Sequence, residues 1–175
     1  MNVFASNRSP DLSARYLADR HVVKMVVESA QILSTAMTIT GRAIPGIYRV
    51  THIHHPCVQA AKDPEYFLWV VQHGLALSDE YTVRFHKTHA SAEVLLRIAE
   101  TVEIDRCANP QYWPLAMPDE FKCADPHQSY IEYLRNKYKT WKDLGAAPKW
   151  KRIIPNNPLE VVCCLLYTSD AADDT

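Results

Sequence analysis

The chain has 175 residues, of which 47% are hydrophobic and 22% charged, with a formal net charge of -1. That size suits one domain able to bury roughly two-thirds of its unfolded surface, and the composition is too apolar for a disordered chain. No apolar run approaches the length of a membrane span, the first 20 residues lack the long apolar core of a secretory signal, and with 4 Gly and no GxGxxG or GxxxxGK[ST] there is no glycine-rich phosphate cradle.

The stretch from Cys163 to Thr175 fits nothing before it and resembles a translated sequencing adapter, so it is expected to be a non-native tail on a domain of residues 1–160. Without Asp170, Asp173 and Asp174, 17 acids face 19 bases and the net charge becomes +2. Three cysteines then remain (Cys57, Cys107 and Cys123), an odd number with no CxxC, which favours a reducing cytoplasm, that of a bacterial or phage-infected cell.

Residues 1–9 carry an apolar pair, Val3 and Phe4, and read as an extended lead-in or short strand. Ser9 is a good N-cap and Pro10 suits a first turn, so a first helix is predicted from there to about Thr38, with Val22, Met25, Val26, Ala30, Leu33 and Met37 at helical spacing. Gly41 and Pro45 open a long loop that reaches Cys57. Asp63 and Pro64 start a second helix toward about His86, and a third is expected over about Ser91 to Glu103. Pro110, Pro114 and Pro118 mark an irregular segment, and a fourth helix runs from about Pro126 to Asp143 with Tyr130, Ile131, Leu134 and Tyr138 spaced to pack. The predicted fold is all-α, a compact single domain of about four helices with long loops.

Three groups of residues could carry chemistry. On the first helix, Arg20, His21, Lys24, Glu28 and Gln31 fall within an arc of roughly 100°. That face is either solvated, with a Lys24–Glu28 pair, or a site in which Glu28 acts as a base or stabilises a cation while Arg20, His21 and Lys24 hold a phosphate. The loop places His52, His54, His55 and Cys57 within six residues, and His86 and His89 lie three apart. Neither spacing matches a zinc site, so no metal is expected. His55 reads as a catalytic or phosphate-binding histidine, or as part of a His-Pro turn that fixes the loop. Arg84, His86, Lys87 and His89 join the DNA-facing set. From Arg135 to Arg152 the chain holds seven bases and one acid, with Tyr138, Trp141 and Trp150 between them. Bases neutralise phosphates and flat rings stack on unpaired bases, so Lys149, Trp150, Lys151 and Arg152 are expected to contact DNA.

The order of these pieces resembles the phage and bacterial pyrimidine-dimer DNA glycosylases of the endonuclease V type. The resemblance is carried by SARYLADRHVVKMVVESAQIL (Ser13 to Leu33), HHPC (His54 to Cys57) and LALSDEYTVRFHKTH (Leu75 to His89), with AMPDEFK (Ala116 to Lys122) similar to phage members. It implies a compact all-α DNA repair enzyme that needs no cofactor. Such an enzyme flips a base from the duplex and attacks the sugar C1′ with an amine. A Schiff base forms with help from a glutamate on the first long helix, and β-elimination can follow. Glu28 matches that glutamate. In the family the amine is the α-amino group left when Met is removed before a small residue. Residue 2 here is Asn, before which Met is usually kept, so the amine is either that of Met1 or the side chain of Lys24.

Two alternatives stay open. One is a phage DNA base-modification enzyme, which would need a small-molecule donor. The other is a non-catalytic DNA-binding or structural phage protein. DNA is the partner in all three, and none involves a membrane.

Overall fold

In the computed structural model, residues 1–160 are described, so the expected tail lies outside them. Among the described residues the fold is all-α. The helices are α1 (Pro10–Tyr16), α2 (Asp19–Ile39), α3 (Pro56–Ala60), α4 (Pro64–Phe85), α5 (Ala92–Ala99) and α6 (Pro126–Asp143), with a single 3₁₀ turn at Asp119–Phe121.

The helix count exceeds four for two reasons. The predicted first helix is two helices, because Leu17 and Ala18 are extended. Ser9 caps α1 as expected, its Oγ accepting from the Leu12 N–H at 3.3 Å. No Gly or Pro marks the break at 17–18; distant partners hold it. The Leu17 carbonyl accepts from Arg84 at 2.7 Å, and the Ala18 N–H donates to the Tyr138 hydroxyl at 3.1 Å. The second reason is α3, which grows from the His-Pro turn. His55 Nδ1 accepts from the Cys57 N–H at 3.2 Å, and Pro56 takes the first helical position.

α2 is the central helix. By length and composition it could cross a membrane, although charged and polar residues interrupt its apolar runs. Here most of its apolar stretch is buried inside the fold, and it serves as the core helix. It packs closely on α4 at Gly74, where a Cβ would meet Leu95 Cδ2 at 2.9 Å and Ser29 Cβ at 3.3 Å. α4 begins as predicted, with Asp63 Oδ1 accepting from the Glu65 and Tyr66 N–H groups. α5 stops at Ala99, short of the expected Glu103, as the chain turns and Thr101 Oγ1 donates back to the Ile98 carbonyl. α6 turns Tyr130, Leu134 and Tyr138 into the core, and Gly145 at φ 75° reverses the chain after it.

The lead-in is extended and is not a strand. Val3, Phe4 and Ala5 are buried, and their segment threads between α2 and the last third of the chain. The Asn2 side chain donates to the Ala116 carbonyl at 2.8 Å, and His127 Nδ1 lies 2.8 Å from the Ala5 carbonyl.

Candidate functional site

Threading the lead-in past α2 puts the start of the chain against one carboxylate. Glu28 is 6% exposed although it lies on the polar side of the wheel. Its Oε2 accepts from the Asn2 backbone N–H at 2.8 Å, and its Oε1 pairs with Lys24 Nζ at 3.0 Å. Burying a carboxylate is costly unless it is paired and hydrogen-bonded, and both conditions hold here. The expected i,i+4 pair with Lys24 is present, but its two ends differ: the lysine reaches solvent, whereas the carboxylate faces inward.

The N-terminal amine belongs to the same locality. Its charge acts on His55 and Cys57, and the His55 ring lies near the Met1 backbone. Burial, followed by that amine's charge, holds His55 below its ordinary range. Burial also pushes the Cys57 thiol up to about 11, so it stays neutral beside the amine. Met1, Lys24, Glu28 and His55 are therefore brought together from three separate stretches of sequence.

One residue that sequence reasoning passed over fixes this arrangement. Asn2 Oδ1 accepts from the Val3 N–H at 2.7 Å and from the Tyr130 hydroxyl at 3.4 Å, and the Cys57 Sγ approaches it at 3.8 Å. With its amide donating to the Ala116 carbonyl, the side chain is satisfied on both sides. In the sequence Asn2 bore only on whether Met1 is kept, and nothing marked its side chain as a fixing point.

Four expected site residues are placed differently. His21 does not face a cleft: it is 3% exposed, its Nδ1 lies 2.8 Å from the Tyr138 hydroxyl, and it packs on Phe4 and Trp141. Burial, then the charges of Lys137, Lys24 and Arg20, lowers its pKa to about 3, so it is a neutral core group. Arg84 is buried and cannot reach a phosphate. It donates to Glu80 at 2.9 Å, to Asp19 at 3.1 Å and to the Leu17 and Arg15 carbonyls. Trp150 is no stacking platform, since its indole N–H donates to the Tyr16 carbonyl at 2.9 Å and its ring meets Tyr138 edge-on. Arg152 is paired with Glu80.

The remaining bases stay at the surface. Arg20 lies over the Trp141 ring at 4.9 Å, and Gln31 is half-buried on α2. Lys149 is exposed, as is Lys151, whose Nζ lies 4.5 Å over Phe85. His86 and Lys87 are exposed where α4 ends, His86 in the left-handed region at φ 55°. His89 caps the approach to α5, its Nδ1 accepting from the Ser91 N–H at 3.0 Å, and its ring faces the Val23 backbone of α2. Among the described residues, no three His, Cys, Asp or Glu side chains converge as metal ligands would.

The buried, paired Glu28 at the chain start and the exposed Arg20 and Lys24 thus share one helix of an all-α fold. A family model described as pyrimidine dimer DNA glycosylase matches residues 1–94, and the chain belongs to that family. The match covers Met1, Lys24, Glu28, His55 and the His86–His89 turn, and membership implies DNA as the substrate class. Neither the curated proteins nor the solved structures yield a match to this chain.

Proposed function

We propose that this protein excises damaged pyrimidines, dimers foremost, by attack of an amine on the sugar C1′. The amine nitrogen forms a bond to C1′ as the bond from C1′ to the base breaks and the base nitrogen takes a proton; in a dimer the base stays joined to its neighbour. The C1′–O4′ bond of the adduct then opens, O4′ taking up a proton, and the resulting imine is hydrolysed by water or resolved by β-elimination with strand cleavage. The α-amine of the chain start is the first candidate and Lys24 the second. Lys24 projects into solvent, whereas the start of the chain is held in the site. The observation that carries the reading is the Glu28 carboxylate, buried and 2.8 Å from the nitrogen of residue 2. From there it can hold the amine in line and stabilise the cationic imine. If Met1 were removed, that nitrogen would itself be the α-amine. The same reading places the enzyme with DNA in the cytoplasm.

Glu28→Gln keeps the shape and the acceptor while removing the charge. Single-turnover cleavage of the glycosidic bond on a dimer-containing duplex should fall by about 10²–10⁴, with binding to the same duplex kept or tightened. Borohydride should trap the parent on abasic DNA, and peptide mapping of the adduct, together with intact mass, names the amine. Equal cleavage rates for parent and variant would remove Glu28 from the chemistry. A parent inert on every lesion would leave a non-catalytic DNA-binding protein.

A further inference from the structure

The loop that closes with the His-Pro turn holds more than His55. Thr51 is tied to α2 by one hydroxyl: Thr35 Oγ1 donates to the Thr51 carbonyl and accepts from the Thr51 N–H, both at 3.2 Å. The residues that follow make a tight turn, in which the His55 N–H donates to the His52 carbonyl at 2.9 Å. The Gln59 side chain of α3 donates to the Ile53 carbonyl at 2.6 Å, and His52 Nδ1 lies 2.6 Å from Thr51 Oγ1. Ile53 and His54 form the outer corner of this turn, and Ile53 is 41% exposed.

A single exposed isoleucine is ordinary on a protein surface; two properties set this one apart. The first is backbone strain. His52 has φ 49°, in the left-handed region that residues with a Cβ rarely adopt. Strain of this kind persists only where the surroundings enforce it, and it gathers at sites that act on a ligand. The second is place. Thr35 stands seven residues beyond Glu28 on α2, about 10 Å along the axis. At the other end of the turn, His55 lies near the Met1 backbone. The corner is thus held between an anchor two helical turns from the carboxylate and the chain start itself.

Attack at C1′ requires the stack around a lesion to open, since chemistry on a base cannot reach its target inside a closed duplex. Apolar side chains can do this by entering between two base steps and unstacking them. A β-branched side chain on a fixed turn has few rotamers to lose on entry. We propose that the His52–His55 turn is a wedge: Ile53 enters the base stack next to the lesion and holds the step open while the amine reaches the sugar. His52 and His54, both exposed, flank the tip and present imidazoles to the neighbouring phosphates. This rests on the glycosylase reading above and names the element that opens the DNA for it.

The test places 2-aminopurine beside a pyrimidine dimer in a duplex, where stacking quenches its fluorescence. The parent should raise that signal on binding, and Ile53→Ala should bind without the rise. Ile53→Leu, which keeps an apolar tip, should restore it. Single-turnover cleavage of the glycosidic bond in the duplex should slow at least about tenfold in Ile53→Ala, because parting the step then adds to the barrier. Borohydride trapping on a single-stranded abasic oligonucleotide, which has no stack to open, should match the parent. Ile53 is exposed, so the thermal melt of the variant should match as well. No rise with the parent, or an equal rise with Ile53→Ala, would overturn the wedge. Equal losses on duplex and single strand would also overturn it, and would make the turn a support for the amine instead. The fluorescence needs no turnover, so failure of the glycosylase reading appears separately, as absence of a borohydride-trapped complex in the parent.

Discussion

Burial decides what the histidine at position 21 does. The helical wheel groups His21 with Arg20 and Lys24, because a wheel contains only its own helix. The residue that claims the ring, Tyr138, is 117 positions away. Glu28 is the converse case: its type and place on the polar arc were legible, but its burial under the lead-in was not. The His21 environment has a pH signature. With a folded pKa of about 3 against an ordinary 6.5, the unfolded chain binds a proton that the folded protein refuses. Stability should therefore be complete above pH 6.5 and fall as pH drops from 6.5 toward 3, approaching about 1.4 kcal/mol per pH unit. His73, lowered by burial to about 4, acts in the same direction over 6.5 to 4. Urea unfolding of the parent and of His21→Gln between pH 7 and 4 checks this; the variant's curve should be the shallower one, and parallel curves would contradict it.

Among the elements, α4 was legible because cap and periodicity agreed, Asp63 capping where expected, whereas α2 and α6 were legible from the spacing of their apolar residues. The α1–α2 break was not, because its cause is the buried charge cluster of Arg84, Glu80 and Asp19. Arg84→Met would leave two carboxylates and two carbonyls short of a donor. It should cost about 3–5 kcal/mol in unfolding free energy without altering the salt dependence of DNA binding. A stable variant with a flatter salt slope would instead make Arg84 a phosphate contact. The returning segment separates in the same way. Lys149→Glu with Lys151→Glu should lower the log–log salt slope by about 0.9 per lost contact. Adding Arg152→Glu should leave the slope where it is and lower stability, since it sets a second carboxylate against Glu80. Salt titrations of binding beside thermal melts of all three variants give both answers.

For the molecule as a whole, the all-α class followed from four periodic stretches and the absence of β patterning. The way the ends of the domain lock together did not. The lead-in looked like a detached apolar pair, yet Val3 is fully buried, and Asn2 and Ala5 hold partners in the last third of the chain. Local pattern predicts local structure; it carries no signal for a single side chain such as Asn2 that closes a circuit across the fold. The candidate site was thus half legible. The carboxylate, the exposed lysine and His55 could be named from the sequence, but the residue that brings the chain start to them could not.

That circuit also sets a schedule for synthesis. Asn2 meets Ala116 across 114 residues and Tyr130 across 128, and Ala5 meets His127 across 122. The lead-in leaves the ribosome long before the groups that fix it, and such distant contacts form late. Glu28 is in place on its helix early, but the nitrogen it faces has no defined position until α6 has emerged. A nascent or prematurely terminated chain can own every residue of the first 94 and still lack the site.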